Sequence, residues 1–209
     1  LNTRERWTIS LPEGARGLIG RRLAQMSKMC IEALTPASIM GREFSVVQLE
    51  ALLPHLTEDE LLDVLEEARA ARLIEEVPSE PDKYRFTHAL VQRTLGDQIS
   101  APRRRRLHER IATLLEKVYE AELEAHSAEL AYHFREAGGP EGNEKLLAYS
   151  VLAGESALSA YAYEEALEHF EASLTANIEQ SLNAEVAQIY YGLGRAQAST
   201  GQLAKAVAS

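Results

Sequence analysis

The sequence predicts a mainly α-helical chain with one small β-wing near its middle, followed by antiparallel helical hairpins. Most of the 209 residues fall in apolar patterns of helical period, separated by Gly and Pro breaks. Two short β-type runs, Leu73-Ile74-Glu75-Glu76-Val77 and Tyr84-Arg85-Phe86, flank a turn rich in Pro, Ser and Asp. Beyond Pro102 the pattern is helical throughout, and small residues recur in it at matched offsets.

The elements follow in order. Pro12-Glu13-Gly14 breaks the chain, and Leu18, Ile19, Arg22, Leu23 and Met26 then keep helical spacing. A second, apolar helix is predicted from about Met29 to Met40, with Pro36 kinking or shortening it. Gly41-Arg42-Glu43-Phe44 ends that helix, and a short one follows over Val46 to Leu53. Thr57-Glu58-Asp59-Glu60 reads as a capping box, the Thr hydroxyl accepting from an N–H three residues on while the Glu reaches back. The helix it opens is expected to put Leu61, Leu62, Leu65 and Ala68 on one face. Residues 1–100 are expected to hold a linker helix followed by three helices and a wing, a winged-helix-like domain. Residues 101–209 form a connecting helix and then helical hairpins, with breaks near Gly138-Gly139-Pro140, Tyr161 and Gln180-Ser181.

Composition narrows the function. Hydrophobic residues make up 45% of the chain, enough for one large domain or two small ones with cores. No stretch reaches the apolar length of a membrane span, and no signal pattern opens the chain. The single cysteine, Cys30, forms no internal disulfide and fits a reducing, cytoplasmic setting; placed in an apolar helix, it is expected to be inert. A first residue other than Met and a C-terminus ending Ala-Val-Ala-Ser lead to the expectation of a piece of a longer protein. The net charge of −10 is uneven. Residues 1–125 hold 18 Lys and Arg against 21 Asp and Glu (net −3), and residues 126–209 hold 4 against 11 (net −7). An acidic second half argues against nucleic acid and for a protein or peptide partner.

The candidate site is His88, where the second strand of the wing feeds the next helix. A helix N-terminus leaves N–H groups without intrahelical partners and favours anions. An imidazole there either adds a donor toward a phosphate or simply packs at the helix start. The remaining histidines are His55, His108, His126, His133 and His169. His126 and His133 lie seven apart and are expected to share a helix face, with Glu129 between them, but a zinc site needs further ligands, so an ordinary helix surface or groove is expected. Arg103-Arg104-Arg105-Arg106 is the one basic run, read as a solvated helix start pairing with carboxylates such as Glu109. A DNA-binding winged helix would use Glu58 to Arg72 for recognition. That segment carries Glu58, Asp59, Glu60, Asp63, Glu66 and Glu67, which repel a phosphate backbone.

In the second half, Gly154 is followed twelve residues later by Ala166, and Gly194 twelve later by Ala206; Phe170 lies four beyond Ala166. Small residues at these offsets let paired helices approach closely. The Gly154-to-Gly194 period is forty residues. Tyr161, Tyr163, Phe170, Tyr190 and Tyr191 form an aromatic cluster, expected mostly in hairpin contacts with an exposed subset open to a partner peptide.

The spacings Gly154…Ala166…Phe170 and Leu193-Gly194…Gly201…Ala206 resemble the tetratricopeptide (TPR) repeat, with a longer period; Tyr190 matches one of its aromatic positions, while Ser150 and Tyr161 depart from the expected types. Upstream, LPEGARGLIGRRLAQMS, MGREF, LLDVLEEARAARLIEE, YRFTHALVQ and RRRRLHERIA, taken in order, resemble the segment after the ATPase core in STAND-class signalling NTPases. Within that class the arrangement resembles especially the bacterial adenylate-cyclase-linked and transcription-regulator AAA ATPases. The resemblance implies a winged helix placed between a P-loop ATPase domain and helical repeats that sense a partner. It also implies a Met-His-Asp-type motif whose histidine contacts the β-phosphate of ADP. Thr87-His88-Ala89-Leu90 aligns with that motif: His88 matches the histidine, Leu90 the following leucine, while Ala89 replaces the acid and Thr87 the Met. No Gly-rich loop ending in Gly-Lys-Ser/Thr occurs, so ATP or ADP with Mg²⁺ is expected only with an upstream domain acting in cis. The chain is thus expected to be a non-enzymatic coupling segment with no cofactor, metal or catalytic residue of its own. A free-standing TPR-like interaction scaffold and a DNA-binding winged helix remain the alternatives.

Overall fold

A computed structural model of the chain describes residues 13–176 and 184–201. It is mainly helical, with ten helices and three strands among the described residues, and divides into two compact units, Leu1–Ser100 and Ala101–Ser209. Gln180-Ser181 and Ala206 lie outside the described residues.

The first unit contains α1 (Glu13–Ala24), α2 (Lys28–Met40), β1 (Glu43–Ser45), α3 (Val46–Leu52), α4 (Glu58–Ala70), β2 (Ile74–Glu76), β3 (Lys83–Phe86) and α5 (Ala89–Asp97). Side-chain caps set where three of its helices begin. Ser27 accepts from the Cys30 N–H at 3.0 Å, and Ser45 with Gln48 and Thr57 with Glu60 form complete capping boxes. Pro36 sits inside α2, which runs unbroken across it. Leu61, Leu65 and Ala68 turn inward as expected, but Leu62 points outward and Val64 takes its place, because the α4 stripe follows the i, i+3, i+4 rows rather than the local Leu-Leu pair. The core gathers Leu34, Leu49, Leu61, Leu65, Phe44, Ile74, Phe86 and Leu95, all at most 1% exposed. Each such side chain contributes about 1.5–3 kcal/mol on burial.

The sheet has three strands in the order β1-β3-β2, both pairings antiparallel. Sequence periodicity anticipates the edge strand β2 and the central strand β3 and misses the other edge, β1, which it assigns to the end of a helix. Three residues are too few to display a period of two, and Glu43–Ser45 becomes a strand only because β3 lies beside it. Alternation then sorts the faces. Phe44, Ile74 and Phe86 face the core, with the Phe44 and Phe86 rings 5.5 Å apart. Arg85 faces outward between Glu43 and Glu75 and donates to Glu75 at 2.7 Å.

The second unit is a run of antiparallel helices: α6 (Ala101–Val118), α7 (Ser127–Ala137), α8 (Pro140–Ser159), α9 (Tyr163–Ala176) and α10 (Ala184–Ser199). The break at residues 119–126 is absent from the sequence reading, which finds no Gly or Pro there. The turn before α8 needs positive φ at two successive positions, supplied by Gly138 (64°) and Gly139 (86°), and Pro140 then starts the helix. α8 ends in a Schellman closure: the Ala162 N–H donates to the Ala157 carbonyl at 2.8 Å and the Tyr161 N–H to Leu158 at 3.1 Å.

Phe170 is the centre of this unit. Its ring, fully buried, packs with Ile189, Ala166, Ala196, Leu147 and Leu193. The tip of the ring occupies space left by two missing side chains. A Cβ on Gly154 would lie 2.5 Å from Phe170 Cζ, and one on Gly192 only 2.3 Å from it. The sequence reading finds Gly154 but selects Gly194 in place of Gly192 as its counterpart. The structure therefore predicts that Gly154→Ala and Gly192→Ala each cost about 1–3 kcal/mol in urea unfolding. Shortening the ring in the double variant Gly154→Ala/Phe170→Leu should give a loss smaller than the sum of the single losses. Strictly additive losses would show that the ring and the glycine do not share that space.

Candidate functional site

The site is built by the corner between β3 and α5. At the end of α4, Arg72 adopts a left-handed φ of 56°, and the Leu73 N–H donates back to the Ala68 carbonyl at 3.0 Å. This closure sends the chain straight into β2. Thr87 then ties the far end of β3 to that closure. Its hydroxyl donates to the Arg72 carbonyl at 2.9 Å, and its N–H donates to the Leu73 carbonyl at 3.0 Å. The Phe86 N–H is taken by Arg42 at 2.9 Å. Below the corner, Val91 and Leu95 are buried, and the Gln92 amide donates to the Ser38 carbonyl in α2 at 3.0 Å.

His88 occupies the N-cap of α5 with extended backbone (φ −140°, ψ 136°). Its side chain is exposed and makes no cap hydrogen bond, whereas α2, α3 and α4 are each closed by Ser or Thr. No acidic residue lies in the first turn of α5. The His88 carbonyl accepts from Val91 at 2.9 Å, so the helix starts properly without using the imidazole. The backbone here is held and the ring is left outside. Ala89 is exposed as well. Chemically, the corner offers an imidazole and the first N–H groups of a helix without a side-chain cap, a set suited to one anionic oxygen. Everything else a nucleotide needs would have to come from other residues.

The other residues singled out in the sequence are dispersed. Arg103, Arg105 and Arg106 are exposed on α6. Cys30 is buried, its Sγ 3.6 Å from the Val64 carbonyl oxygen; burial, helped by Glu67, pushes its thiol up to about 12, which fits an inert thiol. Glu67 accepts from both the N–H and the hydroxyl of Ser27, at 2.7 and 2.6 Å, tying α4 to the start of α2. Glu58, Asp59, Asp63 and Glu66 keep α4's outer face acidic.

The histidines correct the sequence reading most. His126 and His133 do not share a helix face. His126 caps α7 from outside and stacks on Tyr119 with ring centroids 3.5 Å apart, while His133 is fully buried. There its Nδ1 meets Nδ1 of His108 from α6 at 3.0 Å. The signal that finds this pair is the helical phase of His108 with Ile111, Ala112 and Leu115, which places it on the buried stripe. Two nitrogens fall short of a metal site, and no group of three or more His, Cys, Asp or Glu among the described residues could hold a metal ion. No helix among the described residues is long and apolar enough to cross a membrane. Scanned against family models, curated proteins and solved structures, the chain matches none.

The buried pair has a sign-definite consequence. An N–H···N bond needs one donor and one acceptor, so both rings cannot be protonated together. Burial, reinforced by Arg104 and opposed by Glu136, holds His108 below the usual imidazole range. The unfolded chain therefore binds more protons than the folded one as pH drops below about 6.5, and stability falls. Between pH 7.5 and 5.5 the urea midpoint should decrease. His108→Leu/His133→Leu should flatten most of that decrease, leaving the part due to His169, which burial also lowers. An unchanged slope in the double variant would show that the pair does not govern it.

Proposed function

We propose that this chain is the coupling segment of a STAND-type signalling NTPase. In this reading residues 1–100 are a linker helix and a winged-helix-like domain with the β1–β3 sheet as wing. Residues 101–209 are a connecting helix and TPR-like repeats that receive a protein or peptide partner. The observation that carries the reading is His88, an exposed imidazole at the uncapped start of α5 on a corner fixed by Thr87 and Phe86. A nucleotide-binding domain would lie N-terminal to Leu1 and act in cis, in the cytoplasm.

The corner fits a phosphate oxygen, because it offers donors and no first-turn carboxylate. ADP would supply that anion. His88 would donate to it and keep the winged helix docked on the nucleotide domain. A partner that binds the repeats more tightly when the two are apart would shift the balance toward the open state. A scaffold reading, in which the first unit is purely structural, draws support from the exposed Tyr161 and Tyr191 in the repeats. The acidic outer face of α4 argues against duplex DNA.

The test uses this chain together with the proposed upstream domain carrying a Gly-Lys-Ser/Thr loop. Loss of one hydrogen bond to a charged phosphate should weaken ADP binding in His88→Ala by about tenfold, and basal activity should rise as the closed state empties. Unchanged ADP affinity and activity would remove the sensing role and leave the scaffold.

A further inference from the structure

Tyr161 combines two properties that its neighbours do not explain. It sits at φ 60°, the left-handed position of the Schellman closure ending α8, where glycine is the residue without a steric penalty. It is also 78% exposed, although a tyrosine gains most when its ring is covered. Its ring meets Tyr163 edge to face, with centroids 6.2 Å apart and planes at 90°. Beside this pair opens a groove of about 700 Å³, lined by Tyr161, Tyr163, Glu164, Glu165, Glu168 and Thr200. The three glutamates are exposed, and Glu165 lies 3.9 Å from His169. Among the described residues, no lysine or arginine lines the groove. Aromatic faces beside carboxylates suit a flat cation, since the ring quadrupole and the carboxylates attract the same charge.

We propose that this groove docks an arginine-bearing basic segment of a protein partner, with a guanidinium against Tyr161 and Tyr163 and its N–H groups donating to Glu164 or Glu168. The inference rests on the reading of the second unit as a partner-binding repeat surface, and it names the chemistry of that partner. Charge complementarity selects the occupant: residues 126–209 carry 4 basic against 11 acidic residues. Arginine is favoured over lysine because a guanidinium both stacks and forks two hydrogen bonds. The exposed tyrosine at a glycine-favouring position is then kept for contact rather than for folding.

The experiment titrates a fluorescein-labelled peptide of alternating Gly and Arg into the chain at low salt, with a Gly-Lys peptide of equal length for comparison. The Gly-Arg peptide should bind more tightly than the Gly-Lys peptide. Tyr161→Gly should weaken Gly-Arg binding about fivefold with the melting temperature within about 3 °C of the parent chain. Glu164→Gln/Glu168→Gln should weaken it as well. If Tyr161→Gly disturbs folding, Tyr161→Asn, which also tolerates the left-handed conformation, replaces it. Absence of Gly-Arg binding overturns the proposal. So does binding that falls in the glutamine variant but not in Tyr161→Gly, which would be general attraction to an acidic chain. Neither failure touches the response of ADP affinity to His88→Ala, so the two readings fail separately.

Discussion

The register of β3 is the constraint on which the candidate site depends. Side chains on a strand alternate faces, so a slip of one residue would exchange the inside of this sheet for its outside. Three contacts fix that register. Phe86 is buried against Phe44 and opposite Ile74, the Phe86 N–H bonds to Arg42, and Thr87 bonds to the carbonyls of Arg72 and Leu73. With Phe86 inside and Thr87 tied to the end of α4, His88 has one place to go, the outer corner at the start of α5. Its exposure is a consequence of packing elsewhere.

The second unit relies on the same kind of constraint in helical form. Phe170 fills the space over Gly154 and Gly192, so α8, α9 and α10 meet around one ring. Around that centre the helices settle further polar groups with partners of their own. Glu116 of α6 accepts from the Tyr149 hydroxyl at 2.7 Å and pairs with Lys145, both on α8, and the His108–His133 bond joins α6 to α7. These ties join α6 to both α7 and α8.

What the sequence made legible was local. Thr57 and Glu60 close a capping box across three residues, so the start of α4 could be read directly, and the Gly138-Gly139-Pro140 turn announces itself. The position of His88 between a strand and a helix was likewise readable from YRFTHALV. Features that needed distant partners were not. β1 exists because β3 lies alongside it; Gly192 rather than Gly194 faces Phe170 because of the phase of α10; and His133 is buried because α6 presents His108 to it. Leu62 shows the limit on a single helix, where two adjacent leucines look equivalent until the neighbouring elements choose between them. A corner histidine and a phosphate donor look alike in sequence, so spacing alone assigns His88 no role.

A direct measurement follows the His88 ring itself. With this chain joined to the proposed nucleotide-binding domain, the imidazole resonances of the chain's six histidines can be assigned and followed by NMR as ADP is added. The account predicts that, of these six, His88 alone shifts strongly at saturation, because a phosphate oxygen bonded to its ring changes the field there. A His88 signal unmoved in position while ADP is fully bound would contradict it.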